Sequence, residues 1–131
     1  MKTNVIVKNF TENSLQCYYY NATSIRGKLD DFNSHFSAYD YDVISVVETW
    51  LNDSVFDREI LSNCQFKIFR RDHLTEISNI SDSSGILLAV NSKLSVKLHN
   101  DLSTRTLMEM IWVEIVLTPR KSVFVSAVYI P

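Results

Sequence analysis

The feature that most constrains the fold is a short run, Val43-Ile44-Ser45-Val46-Val47, followed at once by Glu48. β-branched side chains favour extended backbone, and a nearly continuous apolar run lacks the alternation of a strand with one wet face. The run therefore predicts a strand covered on both sides, which needs a layer above it and a layer below. Upstream, Leu15 to Tyr20 is rich in aromatics and predicts a second strand. Between the two, Ile25, Leu29, Phe32 and Phe36 recur at helical spacing, with Lys28, Asp30 and Asp31 on the other faces. Ser24 stands where a helix N-cap would, so the spacing predicts an amphipathic helix of about three turns. Strand, helix and doubly buried strand together predict a layered α/β fold.

The later half is mostly strand. Phe66 to Phe69 alternates, Ile86 to Val90 is a short apolar run, and Ser95 to Leu98 alternates again. Ile111 to Leu117 and Val123 to Tyr129 flank Thr118-Pro119-Arg120-Lys121, a sequence suited to a turn, and predict an antiparallel hairpin. Asp72 to Ser84 is polar and reads as a surface loop. Val5 to Val7 reads as either a short strand or a tail. A chain of 131 residues is one domain or a piece of one.

Composition removes several function classes. An apolar fraction of 46% with 21% charged residues is that of a globular chain. At a net charge of −2, contact with nucleic acid has to come from a local patch. The candidate patch is Lys67, Arg70 and Arg71, a possible DNA contact or a solvated strand edge partly neutralised by Asp72. Only two glycines occur, which excludes glycine-rich phosphate loops. Cys17 and Cys64 have no metal-ligand spacing and read as free thiols in a reducing, intracellular compartment. No apolar run is long enough to span a bilayer, and the apolar stretch after Met1 is too short for a signal peptide. His35, His73 and His99 read as surface histidines.

Two polar residues end predicted strands. Glu48 closes the buried strand, at the kind of strand end where α/β sites gather, or else begins a solvated loop. Asn21 ends the first strand and is either a site residue or a turn residue at the helix entry. Trp50 reads as a lid or as packing. The run Tyr18 to Tyr20 and Trp112 read as core and cross-strand packing rather than as base-stacking platforms.

Several segments carry a resemblance. Tyr18-Tyr19-Tyr20-Asn21-Ala22, Ser24-Ile25-Arg26-Gly27-Lys28-Leu29, Asp42-Val43-Ile44 and Glu48-Thr49-Trp50-Leu51-Asn52-Asp53-Ser54 open the series. Phe69-Arg70-Arg71-Asp72, Gly85 to Val90, Trp112-Val113-Glu114 and Val128-Tyr129-Ile130-Pro131 complete it. In order and spacing these are similar to the endonuclease domain of jockey-like non-LTR retrotransposons, within the endonuclease/exonuclease/phosphatase superfamily. The resemblance implies a partial two-sheet α/β sandwich, with residues 1–14 as an N-terminal extension. Residues 15–131 would be the N-terminal part of the domain, truncated at the C-terminus. It implies metal-dependent phosphodiester hydrolysis that nicks DNA, with Mg2+ as cofactor and Glu48 as its ligand. Asn21 would hold the site and the scissile phosphate, and Tyr129 would lie near that phosphate. The implied partners are DNA and a reverse transcriptase domain of the same polyprotein, in the nucleus if the element is active, with no membrane.

The chain departs from the family at Asp82-Ser83-Ser84-Gly85, where a run of glycines is usual, and at Ile130, where Arg often stands. It lacks the later Asp-x-Asn, the further Asp and the terminal Asp-His pair. The expectation is an incomplete, inactive fragment. The alternatives are a degenerate non-catalytic domain, or another phosphodiesterase or phosphatase of the superfamily.

Overall fold

The computed structural model describes residues 4–7, 14–62, 65–72, 84–100 and 109–130. Strand β2 (Gln16–Asn21) and strand β3 (Val43–Val47) lie side by side and parallel, with Tyr18 opposite Ile44 and Asn21 opposite Val47. A parallel pair needs a crossover, and helix α1 (Leu29–Ser37) lies within it. Strand β5 (Ile86–Asn91) pairs antiparallel with β3 on its other side. Strand β4 (Phe66–Arg71) closes one edge of this sheet, and strand β1 (Asn4–Val7) closes the other. Val5 to Val7 thus belong to an edge strand, antiparallel to β2.

A second sheet holds β6 (Ser95–Leu98), β7 (Glu109–Thr118) and β8 (Lys121–Tyr129), in that order and antiparallel throughout. The expected hairpin is present and turns at Pro119 and Arg120.

Alternation along β3 explains the layering. Val43 and Val47 join Ile86, Leu88 and Val90 in a core shared with Ile111, Val113 and Ile115 of the second sheet. Ile44 and Val46 point the other way, into a core with Tyr18, Tyr20, Phe32 and Phe36. The short helix α2 (Asp57–Ile60) adds Ile60 to that core. The result is helices, sheet and sheet in three layers, and β3 and β5 are buried on both faces as their apolar runs require. Burying side chains such as Phe32 and Phe36 stabilises by about 1.5–3 kcal/mol each.

Two expectations are corrected. The helix begins at Leu29, not after Ser24. Ser24 has φ +77°, and the N–H groups of Ser24 and Ile25 donate to Glu48 and Thr49 carbonyls, which carries the β2–β3 pairing past the strand ends. Ile25 is fully buried, but from a loop. His35 is not a surface histidine. Its ring packs against Tyr18, Phe36 and Tyr39, and its Nε2 is buried without a hydrogen-bond partner among the described residues. His73, Cys64 and the polar stretch 73–83 lie outside the described residues, whereas Cys17 is a free thiol. No helix among the described residues is long and apolar enough to cross a membrane.

Candidate active site

Because β2 and β3 are parallel neighbours, their C-terminal ends coincide, and Asn21 comes beside the residue that follows Val47. That residue is Glu48, and Asn21 Nδ2 donates to Glu48 Oε1 at 3.1 Å. The amide is oriented from behind, since its Oδ1 accepts the Thr23 N–H at 3.2 Å and the Thr23 hydroxyl at 3.4 Å. Tyr129, at the end of β8, arrives from the second sheet and donates its hydroxyl to the same Oε1 at 3.0 Å. The three residues singled out by sequence are therefore together. Glu48 Oε2 has no protein hydrogen bond among the described residues.

The turn that presents Glu48 departs from ordinary backbone. Glu48 (φ +55°) and Trp50 (φ +56°) are left-handed, as are Thr23 (φ +46°) and Ser24 in the adjoining loop. Such conformations cost non-glycine residues roughly 1–2 kcal/mol each and persist only where the surroundings over-determine them. Here a ladder of backbone bonds does so. Glu48 O accepts from Ser24 at 2.8 Å, Thr49 N–H donates to Gly85 O at 3.1 Å, and Trp50 N–H donates to Ser84 O at 2.9 Å. Thr49 is fully buried between these strands. Gly85, at φ +104°, sits so close that a Cβ there would lie 2.5 Å from Thr49 Oγ1. Trp50 is half-buried, and its indole N–H is buried with no partner among the described residues.

Electrostatics keep Tyr129 a donor. Desolvation pushes its pKa up first, then the hydrogen bond and negative charge of Glu48, with Glu109 and Tyr19 adding to the rise. Glu109 escaped the sequence reading. It pairs with Tyr129 across β7 and β8, and its Oε2 accepts the Gly85 N–H at 2.9 Å.

The basic cluster is divided by the fold. Arg70 turns inward: it donates to the carbonyls of Val55 (2.6 Å) and Asn52 (2.8 Å), to Asp57 at 3.1 Å, and to both oxygens of Asp72. Burial works against its charge, but the bonds and charges of Asp72 and Asp57 outweigh it and raise the guanidinium pKa. Arg71 is half-buried, makes a long bond to Met110 O at 3.4 Å, and lines an open groove with Phe69, Leu98 and Ile111. Lys67 is exposed. Tyr18 and Tyr20 are core residues under α1, as expected of packing.

As a cation site, the cluster offers one carboxylate oxygen without a partner among the described residues and two neutral donors on the other. That donor set suits a hard, well-hydrated cation such as Mg2+, which one or two carboxylates hold while waters complete its shell. Among the described residues no group of three or more His, Cys, Asp or Glu could enclose a metal.

Helices over one sheet, a second sheet against its other face, and polar residues gathered at the strand ends define an α/β sandwich. Among solved structures, the endonuclease domain of TRAS1, a telomere-specific non-LTR retrotransposon, superposes with a TM-score of 0.61 at 11% sequence identity. The match covers 89% of this chain and 45% of that one, so the chain spans less than half the length of the structure it resembles. No family model and no curated protein matches the sequence.

Proposed function

We propose that this chain carries the cation-binding part of a site for metal-dependent phosphodiester hydrolysis, the reaction by which a retrotransposon endonuclease nicks DNA. The observation that carries the reading is the asymmetric use of Glu48: Asn21 and Tyr129 both donate to Oε1, and Oε2 is left without a partner among the described residues. A carboxylate held in this way is aimed without being neutralised. Glu48 would hold Mg2+ through Oε2, and the ion would stabilise negative charge on the phosphate oxygens. Asn21 and Tyr129 fix the carboxylate, and their type adds donors near a phosphate without adding repulsive charge. The Glu48-Thr49-Trp50-Leu51-Asn52-Asp53 and Arg70-Arg71-Asp72 segments favour the nuclease branch over a phosphatase, and the likeness in fold to a retrotransposon endonuclease agrees with it.

A second reading has its own support. Among the described residues no histidine stands at the site: His35 packs in the aromatic cluster at α1, and His99 pairs with Glu114 on the second sheet. With no described histidine there to activate water, the same cluster would serve a binding domain.

Conversion of supercoiled plasmid to open circles in Mg2+, with and without chelator, tests the reading. The 131-residue chain alone should not nick. Joined to the C-terminal portion of a related endonuclease it should nick, and Glu48→Gln should lower that activity by about two orders of magnitude or more. Nicking that survives Glu48→Gln overturns the assignment.

A further inference from the structure

Glu109 reaches Glu48 along two routes. The first is backbone: Glu109 Oε2 accepts the Gly85 N–H at 2.9 Å, and Gly85 O accepts the N–H of Thr49, the residue after Glu48, at 3.1 Å. The second is through Tyr129, the cross-strand partner of Glu109, whose hydroxyl donates to Glu48 Oε1. The two routes form a closed circuit that ties the ends of β7 and β8 to those of β3 and β5. It passes through Gly85, where the absence of a side chain lets the strands approach within reach of Thr49 Oγ1.

Resting on the cation-binding reading of Glu48, we infer that Glu109 is a positioning residue of that site. By anchoring Gly85, the residue before β5, it holds the turn in which Glu48 and Trp50 are left-handed, so that the Glu48 carboxylate meets Asn21 and Tyr129. Nothing else among the described residues ties the Gly85 N–H to the second sheet. Loss of an outer residue that orients a ligand commonly costs about 10–100-fold in cation affinity.

The test uses the isotopically labelled chain, with Mn2+ as the probe cation and two amide-resolved readouts. Without cation, Glu109→Ala should speed hydrogen exchange at Gly85 and Thr49 by about tenfold, as expected for losing one hydrogen bond. Exchange in the middle of β3 should be unchanged. With cation, paramagnetic broadening around Glu48 should need about tenfold more Mn2+. Glu109→Gln keeps an acceptor oxygen and should restore both readouts.

Unchanged exchange at Gly85 and Thr49 in Glu109→Ala overturns the proposal. So does a Glu109→Gln variant as impaired as Glu109→Ala, because charge rather than the bond would then be at work. If Glu48→Gln leaves the Mn2+ broadening in place, the cation reading fails. The exchange measurement then still decides whether Glu109 positions the turn.

Discussion

Asn21 and Tyr129 donate hydrogen bonds to one and the same oxygen of Glu48, although Asn21 ends a strand of the first sheet and Tyr129 ends a strand of the second. The site is thus a joint between sheets as much as a feature of either. A change at any of the three residues is felt by both layers.

Asn21→Asp replaces the donor facing Glu48 with a second carboxylate about 3 Å away. Two like charges at that distance near a surface repel, and the variant should lose roughly 1–2 kcal/mol at neutral pH. The new carboxyl takes up a proton more readily than an isolated Asp. Its folded-state pKa is therefore raised, and the deficit is present at neutral pH and shrinks as pH falls through that raised value. Urea unfolding at pH 7 and pH 5 checks this, and added Mn2+ should recover part of the loss at pH 7.

Gly85→Ala asks Thr49 to move. The new Cβ would lie 2.5 Å from Thr49 Oγ1, and φ +104° is strained for any L side chain. Both penalties act at a buried junction, so the expected loss is about 2–4 kcal/mol by chemical denaturation. A variant with unchanged stability would mean that the β5 start does not approach the Glu48 turn this closely.

Arg70→Ala should destabilise by about 2–3 kcal/mol, because it leaves the carbonyls of Asn52 and Val55 and the Asp72 carboxylate without their shared donor. Arg70→Lys should recover only part of this, since an ammonium cannot span four partners arranged for a fork. Thermal melts of the three proteins give the comparison.

Glu114 supplies a pH marker on the second sheet. The His99 hydrogen bond, followed by that of Ser122, holds its carboxyl below the usual carboxylate pKa. A depressed pKa contributes stability that is present above the unfolded value, about 4.3, and is lost as pH falls through the lower folded value. A carboxyl-detected titration should show Glu114 protonating below that value, and His99→Ala should move it upward.

Much of this was legible because local pattern and tertiary demand agreed. The run Val43 to Val47 needed cover on both faces and has it, and the Thr118 to Lys121 turn closes the hairpin expected of it. The position of Glu48 at a strand end followed directly. The start of α1 misled because Ser24 and Ile25 look like a cap and a first apolar helix position. Their N–H groups are instead claimed by Glu48 and Thr49 across the sheet, and no periodicity reports such a claim. His35 misled because its neighbours Tyr39 and Tyr41 lie close only after the helix ends. Glu109 was invisible for a related reason. Its partner is a backbone N–H, which any residue but proline offers, so nothing in the side-chain sequence marks the pairing.

The inward turn of Arg70 also sets how this surface would meet a polyanion. A cation already saturated by Asp57, Asp72 and two carbonyls releases no counterions from a nucleic acid, because it neutralises no phosphate. Each phosphate a protein neutralises steepens the salt dependence of binding to duplex DNA by about 0.9 in the logarithmic slope. Were this surface to meet duplex DNA, that slope would fall to exposed or half-buried cations such as Lys67 and Arg71, whereas Arg70 holds the loop at Asn52 and Val55.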